Sequence, residues 1–257
     1  MKHALTIGWL YPDLMSTYGD RGNVIALEKR CGWRDIATTL VPIGQDTPSA
    51  KIQTLDLLFG GGAQDREQGL VMKDLYKKRD VILQHIEQMK PALFVCGAPQ
   101  LMGKYYEPSI GKRIEGLGIF DITTRHPGQS SERLIGNTAA EVNWDGLGEK
   151  DHGSTTIIGF ENHGGRTFLG KDAKPFAYVL EGFGNNGEDK TEGVMYKNAI
   201  GCYFHGPLLP KNPEIADWII KKALEIKYQE KIELAFLDDS LEKKAHDTIV
   251  ERLGISV

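Results

Sequence analysis

The chain has 257 residues, with 31 lysines and arginines against 35 aspartates and glutamates, for a formal net charge of −4. That length suits one large α/β domain or two small ones, and the mild acidity gives no electrostatic reason to expect nucleic acid or an anionic membrane as partner. Three cysteines without CxxC spacing argue against a disulfide framework or a zinc site, so no metal is expected and a reducing cytoplasm fits best. The apolar run at residues 4–8 is too short for a signal peptide, and no stretch approaches the roughly 18 apolar residues of a membrane span.

In chain order, Leu5 to Leu10 reads as a first strand. The turn Tyr18-Gly19-Asp20-Arg21-Gly22-Asn23 then leads into a helix through Val24 to Arg30, whose apolar positions recur at helical spacing. A second strand is expected near Thr38 to Ile43 and a polar loop around Gln45 to Ser49. A third strand, Leu55 to Phe59, runs into Gly60-Gly61-Gly62. A charged helix over roughly Val71 to Met89 leads to the apolar strand Pro91 to Val95, which ends at Cys96. Strands alternating with helices in this way make a parallel α/β sheet. The second half differs: Thr155 to Phe160 and Ala177 to Leu180 are short strands between Gly- and Asn-rich turns, read as an antiparallel extension of that sheet. Helices are expected over Glu214 to Tyr228 and Leu241 to Leu253. With no repeat or evident linker, 1–257 reads as a single domain with a C-terminal helical segment from about 214 to 257.

Cys96 closes a buried strand and is followed by Gly97, Ala98 and Pro99, small or turn-forming residues that suit a nucleophile elbow. Buried free cysteines are also common packing residues, and Phe94 stands where a full elbow has glycine, so the local segment leaves both roles open. Gly60-Gly61-Gly62, at a neighbouring strand end, makes a candidate oxyanion hole. Its donors would be the amide of a loop glycine, Gly61 or Gly62, and that of Gly97. No GxGxxG or P-loop lysine accompanies the glycines, so a nucleotide site is not expected. His205, in Ile200-Gly201-Cys202-Tyr203-Phe204-His205-Gly206-Pro207, repeats the strand-end placement of Cys96 and is the candidate base. His163, in a Gly-rich turn, is its rival and reads better as a loop-stabilising hydrogen bonder. Cys202 reads as packing, and Cys31 as the end of a helix without chemistry.

Phe59-Gly60-Gly61-Gly62, Cys96-Gly97-Ala98-Pro99-Gln100 and His205-Gly206-Pro207 resemble class I glutamine amidotransferases of the cobyric acid synthase-like (CobB/CobQ) branch. Within it, the chain resembles the GatD group of glutaminase subunits, through Tyr18–Asn23, Gln64-Asp65-Arg66-Glu67-Gln68, Gly159-Phe160-Glu161-Asn162-His163-Gly164-Gly165-Arg166-Thr167 and Gly184-Asn185-Asn186-Gly187-Glu188-Asp189. The resemblance implies a three-layer, flavodoxin-like α/β fold. It also implies Cys96 as nucleophile, His205 as general base and acid, and Arg133 as the residue that binds L-glutamine, gripping its α-carboxylate. It implies no cofactor on this chain. ATP and lipid II would be handled by a MurT-like, Mur-ligase-type partner subunit, with the ammonia going to the D-glutamate of the lipid II stem peptide in peptidoglycan synthesis. Many class I members read His-x-Glu where this chain reads His205-Gly206-Pro207, so the orienting acid comes either from the partner or from a carboxylate elsewhere in the chain. Two other readings are an amidotransferase for a cobyrinic-acid-type acceptor and a non-catalytic, glutamine-sensing or scaffold subunit.

Overall fold

The computed structural model describes residues 3–149, 153 and 155–255, so the outermost residues of the expected 1–257 domain lie outside it. The first half runs β1 (His3–Leu10), α1 (Arg21–Gly32), β2 (Ile36–Ile43), β3 (Leu57–Gly60), α2 (Asp65–Glu87), β4 (Ala92–Val95) and α3 (Gly97–Met102). β1 pairs in parallel with β2 on one side and β3 on the other, and β3 pairs with β4. Every residue of β3 and β4 is buried, as parallel strands covered on both faces require. α2 begins six residues before Val71, because the acidic Asp65 and Glu67 suit a helix's first turn. That places Gln68, read from sequence as part of a polar motif, inside the fold.

The second half runs β5 (Tyr105–Glu107), β6 (Ile114–Glu115), β7 (Ile122–Arg125), β8 (Leu134–Val142), β9 (Thr156–His163), β10 (Arg166–Leu169), β11 (Ala177–Glu181) and β12 (Thr191–Glu192). It continues through β13 (Val194–Tyr196), β14 (Ala199–Cys202), α4 (Pro213–Tyr228) and α5 (Ser240–Arg252). β14 joins β4 in parallel and β13 adds an antiparallel edge, giving a six-stranded order β13-β14-β4-β3-β1-β2. This is the mixed, mostly parallel α/β sheet expected from the sequence.

The segments near 155–160 and 177–180 do not extend it. β9 and β11 flank β8 in a separate antiparallel sheet, β12-β11-β8-β9, and a third sheet has the order β10-β7-β5-β6. The physical reason is that β13 already occupies the central edge, while the β8–β9 hairpin covers its own apolar face, burying Ala139 and Ile158 against Val250 of α5. A bridge joins the two systems where the Phe160 and His205 backbones exchange N–H···O bonds of 3.2 and 2.9 Å. α4 buries Ile215, Trp218, Ile219 and Ala223 in the core that contains β1, so it covers the sheet. Among the described residues, no helix is long and apolar enough to cross a membrane.

Candidate active site

β4 ends at Val95, and the next residue, Cys96, has its backbone forced to φ 55°, ψ −99°. Such a conformation for a residue with a side chain costs about 1–3 kcal/mol, and here it turns the chain from strand into α3 while the Cys96 N–H donates to the Cys202 carbonyl at 2.8 Å. Cys96 therefore sits at an elbow between β4 and α3, 8% exposed. Gly97 makes the turn possible, since a Cβ there would lie 2.9 Å from the Ala63 nitrogen and 3.0 Å from Gln68 Nε2. The elbow tolerates Phe94 because the missing space is supplied across the sheet. A Cβ on Gly60 of β3 would come within 3.1 Å of the Phe94 ring, which also packs edge-on against Phe120.

His205 follows β14, the strand next to β4, and is brought against Cys96. Burial works against a charged imidazole, but the electrostatic interaction with Cys96, the hydrogen bond to Asp20 and the hydrogen bond to Cys96 outweigh it and raise His205 to about 10. His205 Nδ1 lies 3.0 Å from Asp20 Oδ1, and both side chains are fully buried. A carboxylate has no proton to give, so the proton sits on Nδ1 and donates to Asp20, leaving Nε2 for exchange with the thiol. The orienting acid absent after His205 is thus present in the same chain. It lies 185 residues away, in the Tyr18–Asn23 segment, where nothing in the local sequence marks it for that role. The same segment clasps the histidine loop again, as the Leu209 N–H donates to Asn23 Oδ1 at 2.9 Å.

The glycine loop divides its tasks. The Gly62 N–H donates to Asp20 Oδ2 at 2.6 Å, so this amide, expected to serve an oxyanion, is already engaged. Of the loop, the next residue, Ala63, lines the cleft with Cys96. The Gly62 carbonyl accepts the Thr17 N–H at 3.3 Å. In a trans peptide N–H and C=O point opposite ways, so the Ala63 N–H faces away from Thr17.

The cleft has a volume of about 370 Å³ and runs from Cys96 to Arg133 and Asn162. Arg133 precedes β8, and Asn162 lies on β9. The Arg133 guanidinium donates from Nε to Asn162 Oδ1 at 3.0 Å and from one terminal nitrogen to the Asn162 carbonyl at 2.8 Å. That fixes one edge of the fork and leaves its end for an anionic group. His163 is not placed as a base: its Nδ1 donates to the Gly165 carbonyl at 2.8 Å, and burial lowers it to about 3, so it stays neutral. It stacks on Tyr203, with centroids 3.7 Å apart. Burial raises Cys31 to about 12 and Cys202 well above an ordinary thiol, which agrees with packing roles. Two buried acids were not foreseen. Glu161 accepts the Phe183 and Gly184 amides, and Glu192 accepts the Tyr203 amide while burial and Glu161 raise it to about 8. Among the described residues, no cluster of three or more His, Cys, Asp or Glu is placed to hold a metal ion.

The family model for the CobB/CobQ-like glutamine amidotransferase domain matches residues 6–213. The chain belongs to that family. The CobB/CobQ-like resemblance drawn from the motifs is thereby borne out. Over 250 residues the chain is 40% identical to the GatD subunit of lipid II isoglutaminyl synthase (glutamine-hydrolysing) from Staphylococcus aureus (strain N315), covering 97% of this chain and 96% of that one. It is 38% identical to the same-named subunit from Streptococcus pneumoniae (strain ATCC BAA-255 / R6), covering 94% and 89%. Among solved structures, PurLQS from Thermotoga maritima superposes with a TM-score of 0.54 at 15% identity, over 89% of this chain and 97% of that one, a likeness of fold.

Proposed function

We propose that this chain is the glutaminase subunit of a lipid II isoglutaminyl synthase, hydrolysing L-glutamine and passing the ammonia to a Mur-ligase-type partner that amidates the D-glutamate of the lipid II stem peptide. The observation that carries the chemistry is the buried line Cys96–His205–Asp20 at one end of a cleft with Arg133 at the other. The acceptor rests on near-full-length relatives at 40% and 38% identity.

In this reading the open end of the Arg133 fork takes the α-carboxylate of glutamine, and the side-chain amide reaches Cys96. The thiolate attacks the amide carbon, and the C=O electron pair moves to oxygen. The Gly97 amide meets that oxyanion together with an amide of the 61–63 loop, the one from Ala63 being better placed than that of Gly62, which Asp20 holds. His205 gives its Nε2 proton to the leaving nitrogen, the C–N bond breaks, and ammonia departs from a γ-glutamyl thioester. Water, giving a proton to the same imidazole, adds to the thioester carbon, and the C–S bond breaks to release glutamate and the Cys96 thiolate. Asp20 holds the imidazole in the required tautomer throughout. No P-loop signature occurs in the sequence, so ATP-dependent activation of the acceptor is assigned to the partner.

The test is Cys96→Ala in the complex with the ligase subunit. Glutamine-dependent amidation of lipid II should be lost while added ammonium salt still supports it. A variant that kept glutamine-dependent synthesis would remove Cys96 from the chemistry.

A further inference from the structure

Gln68 belongs to the Gln64–Gln68 segment of the sequence, to which the proposed reaction assigns no part. It sits in the first turn of α2 and is 2% exposed. Its Nε2 has two protons and uses both, donating to the Ala63 carbonyl at 3.1 Å and to Gln100 Oε1 at 3.0 Å. Gln100 in turn donates to the Tyr203 hydroxyl at 2.9 Å, and that hydroxyl lies 2.7 Å from Thr167 Oγ1, itself 2.7 Å from Thr124 Oγ1. This buried chain anchors Gln68 to α3, to the end of β14 and to the strands β7 and β10. The other oxygen of the pair, Gln68 Oε1, is buried without a hydrogen-bond partner.

Successive peptide planes of the glycine loop are pinned from different sides. Asp20 holds the Gly62 amide at 2.6 Å, Thr17 holds the Gly62 carbonyl at 3.3 Å, and Gln68 holds the Ala63 carbonyl. Gln68 also packs against the residue after the nucleophile, because its Nε2 would lie 3.0 Å from a Cβ on Gly97.

Resting on the glutaminase reading above, we infer that Gln68 is a positioning residue for amide hydrolysis: by holding the Ala63 carbonyl, in the peptide that follows the one carrying the Ala63 N–H, it fixes Ala63 against the first turn of α3, so that the Ala63 and Gly97 amides converge on one oxyanion position. Both of its N–H groups are spent on Ala63 and Gln100, and it is not required for thiolate formation, which separates its role from those of His205 and Asp20.

The test compares the wild-type complex with Gln68→Met, which keeps the length but removes both donors. Three quantities are read: glutamine hydrolysis, inhibition by L-glutamate γ-semialdehyde, and alkylation of Cys96 by iodoacetamide. The semialdehyde is a suitable probe because Cys96 Sγ adds to its carbonyl carbon and the carbonyl oxygen takes the oxyanion position. A displaced oxyanion donor predicts a kcat reduced roughly 10- to 100-fold with KM within about threefold. It also predicts semialdehyde affinity weakened by a matching factor and an alkylation rate within about threefold of wild type. Gln68→Leu, equally without donors, replaces the methionine variant if that fails to fold, and the same outcomes apply. Unchanged kcat, a kcat loss with unchanged semialdehyde affinity, or alkylation falling in step with kcat would each overturn the inference. A wild-type complex with no glutaminase activity would instead overturn the functional reading on which it rests.

Discussion

Asp20→Asn changes one atom and tests whether the in-chain carboxylate orients His205. Asp20 uses its two oxygens separately, Oδ1 for the His205 Nδ1 proton at 3.0 Å and Oδ2 for the Gly62 N–H at 2.6 Å. Asparagine has one oxygen for these two donors. If the oxygen stays with Gly62, the new NH2 faces Nδ1, which must then accept, and the imidazole proton moves to Nε2, toward Cys96. In that tautomer His205 cannot take the thiol proton. If the oxygen turns to His205, the NH2 opposes the Gly62 N–H and the glycine loop must move. The corresponding wrong-tautomer change in a Ser-His-Asp enzyme lowers kcat about 10⁴-fold. A reduction of roughly 10³- to 10⁴-fold is therefore expected here, or about 4–5.5 kcal/mol of transition-state stabilisation. The assay is steady-state glutamate release by the complex, beside ammonia-dependent synthesis, which should stay near wild type, and a thermal melt confirming that the variant is folded. A folded Asp20→Asn protein within about threefold of wild-type kcat would refute the reasoning and return the orienting acid to the partner subunit.

Arg133→Met should raise KM for glutamine roughly 10- to 100-fold with a smaller change in kcat, because a charged hydrogen bond contributes about 1.5–3 kcal/mol and the group lies at the far end of the cleft from the reacting carbon; steady-state kinetics over a wide glutamine range checks the split. Glu192 predicts a pH effect on stability. Its folded-state value is raised to about 8, through burial and then Glu161, so the native state holds a proton that the unfolded chain releases near the ordinary carboxylate range. The stability it contributes is complete below about 4.5 and is lost as pH rises through about 8. Glu192→Gln should flatten the fall in melting temperature between those limits, and calorimetric scans across that window read it directly.

How much of this was legible in the sequence follows from distance along the chain. Leu57 to Phe59 and Pro91 to Val95 announce themselves as buried parallel strands because both faces are covered, leaving uninterrupted apolar runs, and Leu5 to Leu10 is broken by the single polar Thr6. The strands β5 to β7 span two to four residues each and carry no such signal. Cys96 and His205 could be paired because each ends a strand with glycine after it. Asp20 could not be paired with them: nothing local distinguishes an aspartate that meets a histidine 185 residues away from one in an ordinary turn. The motif around it was visible, and its role was not. The assignment of Gly62 shows a similar limit. Three consecutive glycines look alike in sequence, and only the Asp20 carboxylate decides which amide is engaged. The antiparallel half illustrates a topological limit, since whether β9 pairs with the central sheet or with β8 depends on which edge is already taken.

The central claim is that Cys96 is the nucleophile for the side-chain amide of glutamine. Treating the wild-type complex with 6-diazo-5-oxonorleucine, a glutamine-shaped electrophile, and mapping the adduct by peptide mass spectrometry tests it most directly. The account predicts a single modification on Cys96 that excess L-glutamine suppresses, with Cys31 and Cys202 unlabelled. Modification elsewhere, or labelling of Cys96 that glutamine does not protect, would contradict it.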